Sequence, residues 1–366
     1  MISTFILWFP FIIHAGNWMG LSIPDSNFQY IYRNFDGLLY IVPAKTFYNP
    51  QAIEQLGLET NLSPSYFAAH LPLYPFLIRI FAPVIGLLKS MVFVNILATV
   101  CLGILFYHVL RKFQLTKHPL ILTGVFLFLP RFLVVRSIGA PESLFMFLLL
   151  LTLYFFEKKH YVIAGIIGAL ATMTKTPGIL LFMGCFMVFA EKLLRPKSDQ
   201  APESIKHYQI LSLILIPFGL ITVFIIYLFQ YQDFLAYFHS GDNVHLVSLF
   251  SAFNFQKIWV GTAWLEDIVL YFFLYTTAII TLKDFKYRSF FYFGLVFLIA
   301  SLFVQHRDIS RYMLPLWPLT CIAFERFLTS KKFLVAFVLL LPAIYLYAWN
   351  FLLYNVMPIS NWQPFL

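Results

Sequence analysis

Apolar runs of about 15 to 23 residues recur from end to end of this chain, separated by short polar breaks. Runs of that length match the ~20 residues that a helix needs to cross ~30 Å of hydrocarbon. The pattern predicts crossings over 2–21, 91–110, 119–137, 142–156, 161–174, 177–194, 208–230, 260–282, 289–304, 312–327 and 333–353. The fold class expected is therefore an all-α polytopic membrane protein, a single integral-membrane domain over 1–366 with about eleven transmembrane helices. Met1 to Leu21 lacks a basic n-region and is longer than an h-region, so it reads as a retained first crossing and not as a signal peptide.

The polar breaks orient these crossings. Arg111 to Lys117, Lys158-Lys159, Lys192 to Lys206, Lys283 to Arg288 and Arg326 to Lys332 hold well over half of the 25 Lys and Arg residues. The positive-inside rule puts all five in the cytoplasm, with the N-terminus inside and the C-terminus outside. One apolar segment breaks the scheme. His70 to Leu88 could span, but counting it inverts every later loop, and it contains Pro72, Pro75, Pro83 and Arg79. A proline-interrupted stretch at membrane depth needs shielding by protein or a cavity. It is read as a re-entrant or interfacial helical segment within a large first extracytoplasmic loop over 24–89.

Composition sharpens this picture more than it changes it. Hydrophobic residues make up 61% and charged residues only 11%, so each carboxylate requires an explanation. The net charge of +9 lies in short loops and argues for membrane topology, with no nucleic acid as partner. Cys101, Cys185 and Cys321 sit inside apolar runs without metal or disulfide spacing and read as packing residues.

With this topology the unusual polar residues fall on one face. Arg33 and Asp36 follow the first crossing. His70, Tyr74 and Arg79 belong to the proline-rich segment, Glu142 follows Ala140-Pro141, and Lys175 opens the turn Lys175-Thr176-Pro177-Gly178. His306, Arg307, Asp308, Arg311 and Tyr312 surround the last outer turn. Each has a plain structural alternative. Asp36-Gly37 suits a loop turn, Glu142 a helix N-terminus, Lys175 and Arg79 snorkelling, and Arg307-Asp308 a surface ion pair. Arg131 and Arg136 either snorkel or line the same cavity. Taken together, one or two acids among several cations suit an anionic lipid-phosphate substrate. Cations stabilise charge on a departing phosphate, and a carboxylate takes a proton from an attacking hydroxyl. No Walker A or Rossmann glycine pattern and no elbow serine is present. No ligand spacing argues for a metal; the cofactor expectation is none, with any divalent requirement open.

At these residues the chain resembles the PIG-V-like (GPI mannosyltransferase II) family of GT-C membrane glycosyltransferases. The resemblance is carried, in order, by Phe35-Asp36-Gly37-Leu38-Leu39-Tyr40, by His70-Leu71-Pro72-Leu73-Tyr74-Pro75 through Arg79, and by Ala140-Pro141-Glu142-Ser143-Leu144-Phe145. Ala169 to Gly178, Asp233 to His239 and Ser310-Arg311-Tyr312-Met313-Leu314-Pro315 complete it. It implies a GT-C-type bundle with an extracytoplasmic or lumenal active site, an inverting reaction, and a polyprenyl- or dolichyl-phosphate donor, typically of mannose. It also implies a lipid or glycan acceptor. The family's first-loop acid carries over to Asp36, its acid after proline to Glu142, its proline-rich stretch to His70 and Arg79, its basic turn to Lys175 and its late arginine-tyrosine pair to Arg311 and Tyr312. Phe35 stands where many members have Trp, and Lys175 where arginine is common; lysine offers a point charge in place of a bidentate fork.

The expectation is thus a membrane mannosyltransferase. Asp36 and Glu142 are its candidate catalytic carboxylates; Arg33, His70, Tyr74, Arg79, Lys175, His306, Arg307, Arg311 and Tyr312 are its candidate substrate ligands. The rival expectation is a transporter or flippase for a lipid-linked anion, which would place polar groups through the whole bilayer and break helices in paired halves.

Overall fold

Leucine-, phenylalanine- and isoleucine-rich runs become helices, and where they stop is set by proline, glycine and charge. The computed structural model describes residues 1–24, 27–34, 36–58, 62–194, 207–241, 245–254, 261–356 and 363–365. Phe35 and most of the basic break from Lys192 to Lys206 lie outside these. The principal helices are α1 (Ile2–Ile12), α2 (Gly37–Thr46), α3 (Leu73–Ile85), α4 (Leu87–Lys112), α5 (Pro119–Leu127), α6 (Pro130–Val135) and α7 (Glu142–Glu157). They continue as α8 (Tyr161–Thr174), α9 (Leu180–Leu194), α10 (Leu215–Tyr231), α11 (Thr262–Thr281), α12 (Arg288–Ser301), α13 (Trp317–Ala323) and α14 (Lys331–Tyr354). A two-stranded hairpin pairs Asn17–Trp18 with Leu21–Ser22.

The protein is a helical membrane protein. Among the described residues five helical stretches are long and apolar enough to cross a bilayer: Leu87–Lys112, Thr176–Leu194, Gln209–Tyr231, Trp264–Thr281 and Lys331–Tyr354. Each matches an expected crossing. The remaining six expected crossings take other forms. The run over 2–21 is an 11-residue helix followed by the hairpin. Tyr345 donates to the Ser3 carbonyl and Trp349 to that of Leu7, so α1 starts level with the middle of α14. The run over 119–137 breaks at Phe128-Leu129 before Pro130. Arg136 folds back there to donate to the Leu127 carbonyl and to the hydroxyls of Ser3 and Thr4. The run over 312–327 is cut into short helical pieces, at Met313 before Pro315 and again at Phe324; Pro318 lies in the first turn of α13, where its missing N–H is tolerated.

The other three, α7, α8 and α12, are continuous but have only 16, 14 and 14 residues. They rise about 21–24 Å, less than the ~30 Å of a hydrocarbon core. His108 meets Tyr154 at 3.1 Å, so α4 and α7 are level at their basic ends. At the other end Thr99 bonds Ser143 at 2.7 Å, about twelve residues, or ~18 Å, inside the start of α4. The short helices therefore end well inside the bundle. The basic breaks meet at its far end: Arg288 makes a two-pronged pair with Glu191, Glu157 accepts from the Ser289 amide, and Phe113 stacks on Tyr287.

The proline-rich segment from His70 to Leu88 follows a short 3-10 turn, Pro64–Ala69, and folds mainly as the 13-residue α3. Gly86, with φ +82°, separates α3 from α4 in a backbone region open to glycine. Loops at the recessed end are fixed by buried polar groups on α4. Asn95 donates to the carbonyls of Val135 and Ile138, pinning the loop that leads to Glu142. Gly37 is not a left-handed turn residue. A Cβ there would lie 2.9 Å from the Gly139 carbonyl oxygen, and one on Gly139 would lie 2.3 Å from Met91 Sδ. Gly37 thus lets the Asp36 loop lie on the Glu142 loop, and Gly139 makes room there for the Met91 side chain. Gly37→Ala and Gly139→Ala should each cost about 1–3 kcal/mol by overpacking, read as a lower unfolding midpoint in detergent. Gly124→Ala, where a Cβ meets nothing within 4 Å, should not lower it.

Candidate functional site

Four of the charged residues singled out in the sequence meet at the recessed end. Glu142 opens α7, Lys175 follows α8, Arg311 sits in the turn before Pro315, and Asp36 precedes α2. Arg311 Nε donates to Glu142 Oε1 at 2.7 Å and its Nη1 to Asp36 Oδ2 at 2.9 Å. Lys175 Nζ donates to the same Glu142 oxygen at 2.8 Å. Gly178 makes the Lys175 turn possible, since a Cβ there would lie 2.5 Å from the Thr172 nitrogen. Two acids and two bases thus balance in a charge-neutral quartet. Glu142 and Arg311 are buried, whereas the Asp36 side chain is 38% exposed.

Asp36 faces a cavity of about 130 Å³ lined also by Tyr40, His70, Lys175, Thr176, Tyr237, His306, Asp308, Arg311 and Tyr312. Tyr40 packs edge-on to His70 at 4.8 Å, and His306 edge-on to Tyr312 at 4.7 Å. Beside the cavity runs an apolar groove of about 450 Å³, with Leu220, Phe224, Phe238, Leu246 and Phe297 in its walls. Thr176, Pro177, Tyr237 and Tyr312 belong to both spaces. A polar chamber and an apolar groove therefore share a wall.

Of the expected substrate ligands, His70, Lys175, His306, Arg311 and Tyr312 line the cavity with Asp36. Glu142 stands behind it and reaches it only through the two cations it holds. Arg79 is elsewhere. Its guanidinium donates to the carbonyls of Ala44 and Lys45 and so closes the C-terminal end of α2. Arg33 lies over the Tyr30 ring at 4.2 Å, away from the cavity lining. Tyr74 is buried beneath Tyr40 with its hydroxyl donating to the Met91 carbonyl. Arg307 is exposed, and its carbonyl accepts from Trp264.

Asp308, for which an ion pair with Arg307 was the plain structural alternative, meets Arg131 at 2.8 Å, and Arg131 lies 4.2 Å from the Phe351 ring. Arg136 serves the helix break described above. Sequence reasoning passed over Tyr40, Thr176 and Tyr237 as lining residues. Each stood inside a stretch already quoted for the resemblance, which was the available signal. Among the described residues no cluster of three His, Cys, Asp or Glu side chains could hold a metal ion.

Burial alone would raise the Asp36 pKa. The charges of Arg311 and His70, with the Arg311 hydrogen bond, outweigh it and hold the carboxyl below its ordinary value. Its folded pKa is depressed, so its contribution to stability is present above the ordinary carboxylate pKa and is lost as pH falls through the folded value. Unfolding midpoints taken from about pH 6 to about pH 3 should fall in acid, and Asp36→Asn should remove part of that fall. Glu142→Gln leaves Lys175 and Arg311 buried without their shared carboxylate. It should cost about 3–5 kcal/mol, read as a lower unfolding midpoint.

Comparison with known proteins adds nothing to this geometry: no family model, no curated protein and no solved structure matches the chain.

Proposed function

We propose that the protein is a membrane glycosyltransferase that uses a polyprenyl-phosphate sugar as donor, an inverting enzyme of the mannosyltransferase kind. The observation that carries this reading is the shared wall between the charged cavity and the apolar groove. Such a pair of spaces suits one amphiphile, with a sugar phosphate in the chamber and an isoprenoid tail in the groove. The tail would reach the groove sideways from the bilayer, because the short helices sink the site below the ends of the long ones.

In this reading the acceptor hydroxyl attacks the anomeric carbon and Asp36 takes its proton. The bond from that carbon to the phosphate oxygen breaks, its electron pair stays on the phosphate, and polyprenyl phosphate leaves. Lys175 and Arg311 supply positive potential for the departing charge, and Glu142 holds both in place. A carboxylate kept ionised by Arg311 is ready to accept the proton at neutral pH. The positive-inside rule puts the basic ends of the bundle in the cytoplasm and the site on the extracytoplasmic or lumenal face. Short helices that cross only a thinned bilayer would still permit about eleven crossings. A flippase for a lipid-linked anion would use the same groove, but ionisable groups gathered at one end favour chemistry over passage.

Purified protein given a panel of labelled polyprenyl-phosphate sugars and lipid or glycan acceptors should transfer one sugar, mannose foremost. Absence of transfer from every donor would overturn the reading. Asp36→Asn should lower turnover by at least about 10²-fold while leaving membrane insertion intact; wild-type turnover in that variant would take Asp36 out of the mechanism.

A further inference from the structure

We propose that the hydroxyls of Thr176 and Tyr237, beside the Lys175 ammonium, form the seat for the phosphate of a bound lipid phosphate. This rests on the lipid-phosphate reading above, but not on sugar transfer.

An amphiphile with its head in the cavity and its tail in the groove must pass the wall that the two spaces share. Its head-to-tail linkage then lies against Thr176, Pro177, Tyr237 and Tyr312. Two of these four present a hydroxyl to the other: Thr176 Oγ1 and Tyr237 OH are 3.2 Å apart. A hydroxyl rotates to suit its partner, so both can turn their protons onto an anionic oxygen placed between them. Lys175 is adjacent in the chain, and its Nζ lies 5.0 Å from the centre of the Tyr312 ring on the same wall.

Division of labour follows from the charges. Glu142 already holds Lys175 and Arg311, which fixes both cations in place while their positive potential reaches the wall. Neutral hydroxyls then make the direct contacts. A hydrogen bond to an ionised acceptor is roughly twice as strong as one between neutral groups, and the apolar groove alongside lowers the local dielectric. Inorganic phosphate would meet the same donors but gain nothing from the groove.

The test is equilibrium binding to the full-length protein in lipid nanodiscs, with polyprenyl phosphate, polyprenol and inorganic phosphate as probes. The wild-type protein should bind polyprenyl phosphate at least about tenfold more tightly than polyprenol. The double variant Thr176→Val, Tyr237→Phe should bring the two to within about twofold, with polyprenol affinity unchanged as the sign of an intact fold. If polyprenol binding is also lost, Tyr237→Phe alone decides. Removing that one oxygen must weaken polyprenyl phosphate several-fold and leave polyprenol untouched.

A double variant that keeps the wild-type preference, or a wild-type protein that has none, would overturn the proposal. Inorganic phosphate should compete with polyprenyl phosphate but not with polyprenol; equal displacement of both would place the anion away from the shared wall. A protein that binds polyprenyl phosphate in this way yet transfers no sugar would lose the enzyme reading and keep the seat.

Discussion

One carboxylate oxygen organises the recessed end of this protein. Glu142 Oε1 accepts from both Arg311 and Lys175, and Arg311 carries the link on to Asp36. Burying any one of these charges alone would cost several kcal/mol. Together they are neutral, and each charge has a partner of opposite sign. The quartet ties the start of α7, the end of α8, the turn before α13 and the start of α2 to a common centre. Its geometry also limits what each member can do. Glu142 is committed to the cations, while Asp36, bound by one arm of Arg311, keeps a face open to the cavity.

Positioning depends on features with no charge at all. The meeting of the two acidic loops requires glycine at 37, which lies against the Gly139 backbone; Gly139 leaves room for the Met91 side chain, and the Lys175 turn requires Gly178. Asn95 and Thr99 on α4 spend their polar groups on the loop and helix start that present Glu142. In an apolar bundle such side chains find few alternative partners, so they hold the loops in register. Rigid support of this kind is what a site needs if its charged groups are to stay paired and still leave room for a ligand.

Five helices long and apolar enough to cross were legible because bilayer thickness writes itself into the length of an apolar run. Runs with internal proline misled, since 119–137 is broken before Pro130 and 312–327 before Pro315. The outlying acids and bases were legible as anomalies in an apolar chain, and Asp36, Glu142, Lys175 and Arg311 do come together. Their pairing was not legible, because it joins residues up to 275 positions apart. Arg79 shows the converse error. A charge in an apolar segment looked like a ligand, but it satisfies carbonyls at the end of α2, a need created only when α2 and α3 pack. Asp308 likewise chose Arg131 over its sequence neighbour.

The brevity of α7, α8 and α12 ties the site to the bilayer's own mechanics. Were these helices to cross the bilayer, the hydrocarbon around them would have to thin or be bridged by the longer neighbours, at a cost of fractions of a kcal/mol per ångström of mismatch. The shared wall of chamber and groove then has a fixed height within the protein, while the headgroup plane does not. In a thick, sterol-rich membrane the phosphate of a lipid would have to sink further from its natural level to reach that wall than in a thin one. On the proposed lipid-phosphate reading, the thickness of the surrounding membrane would thereby select where in a cell such a protein can work.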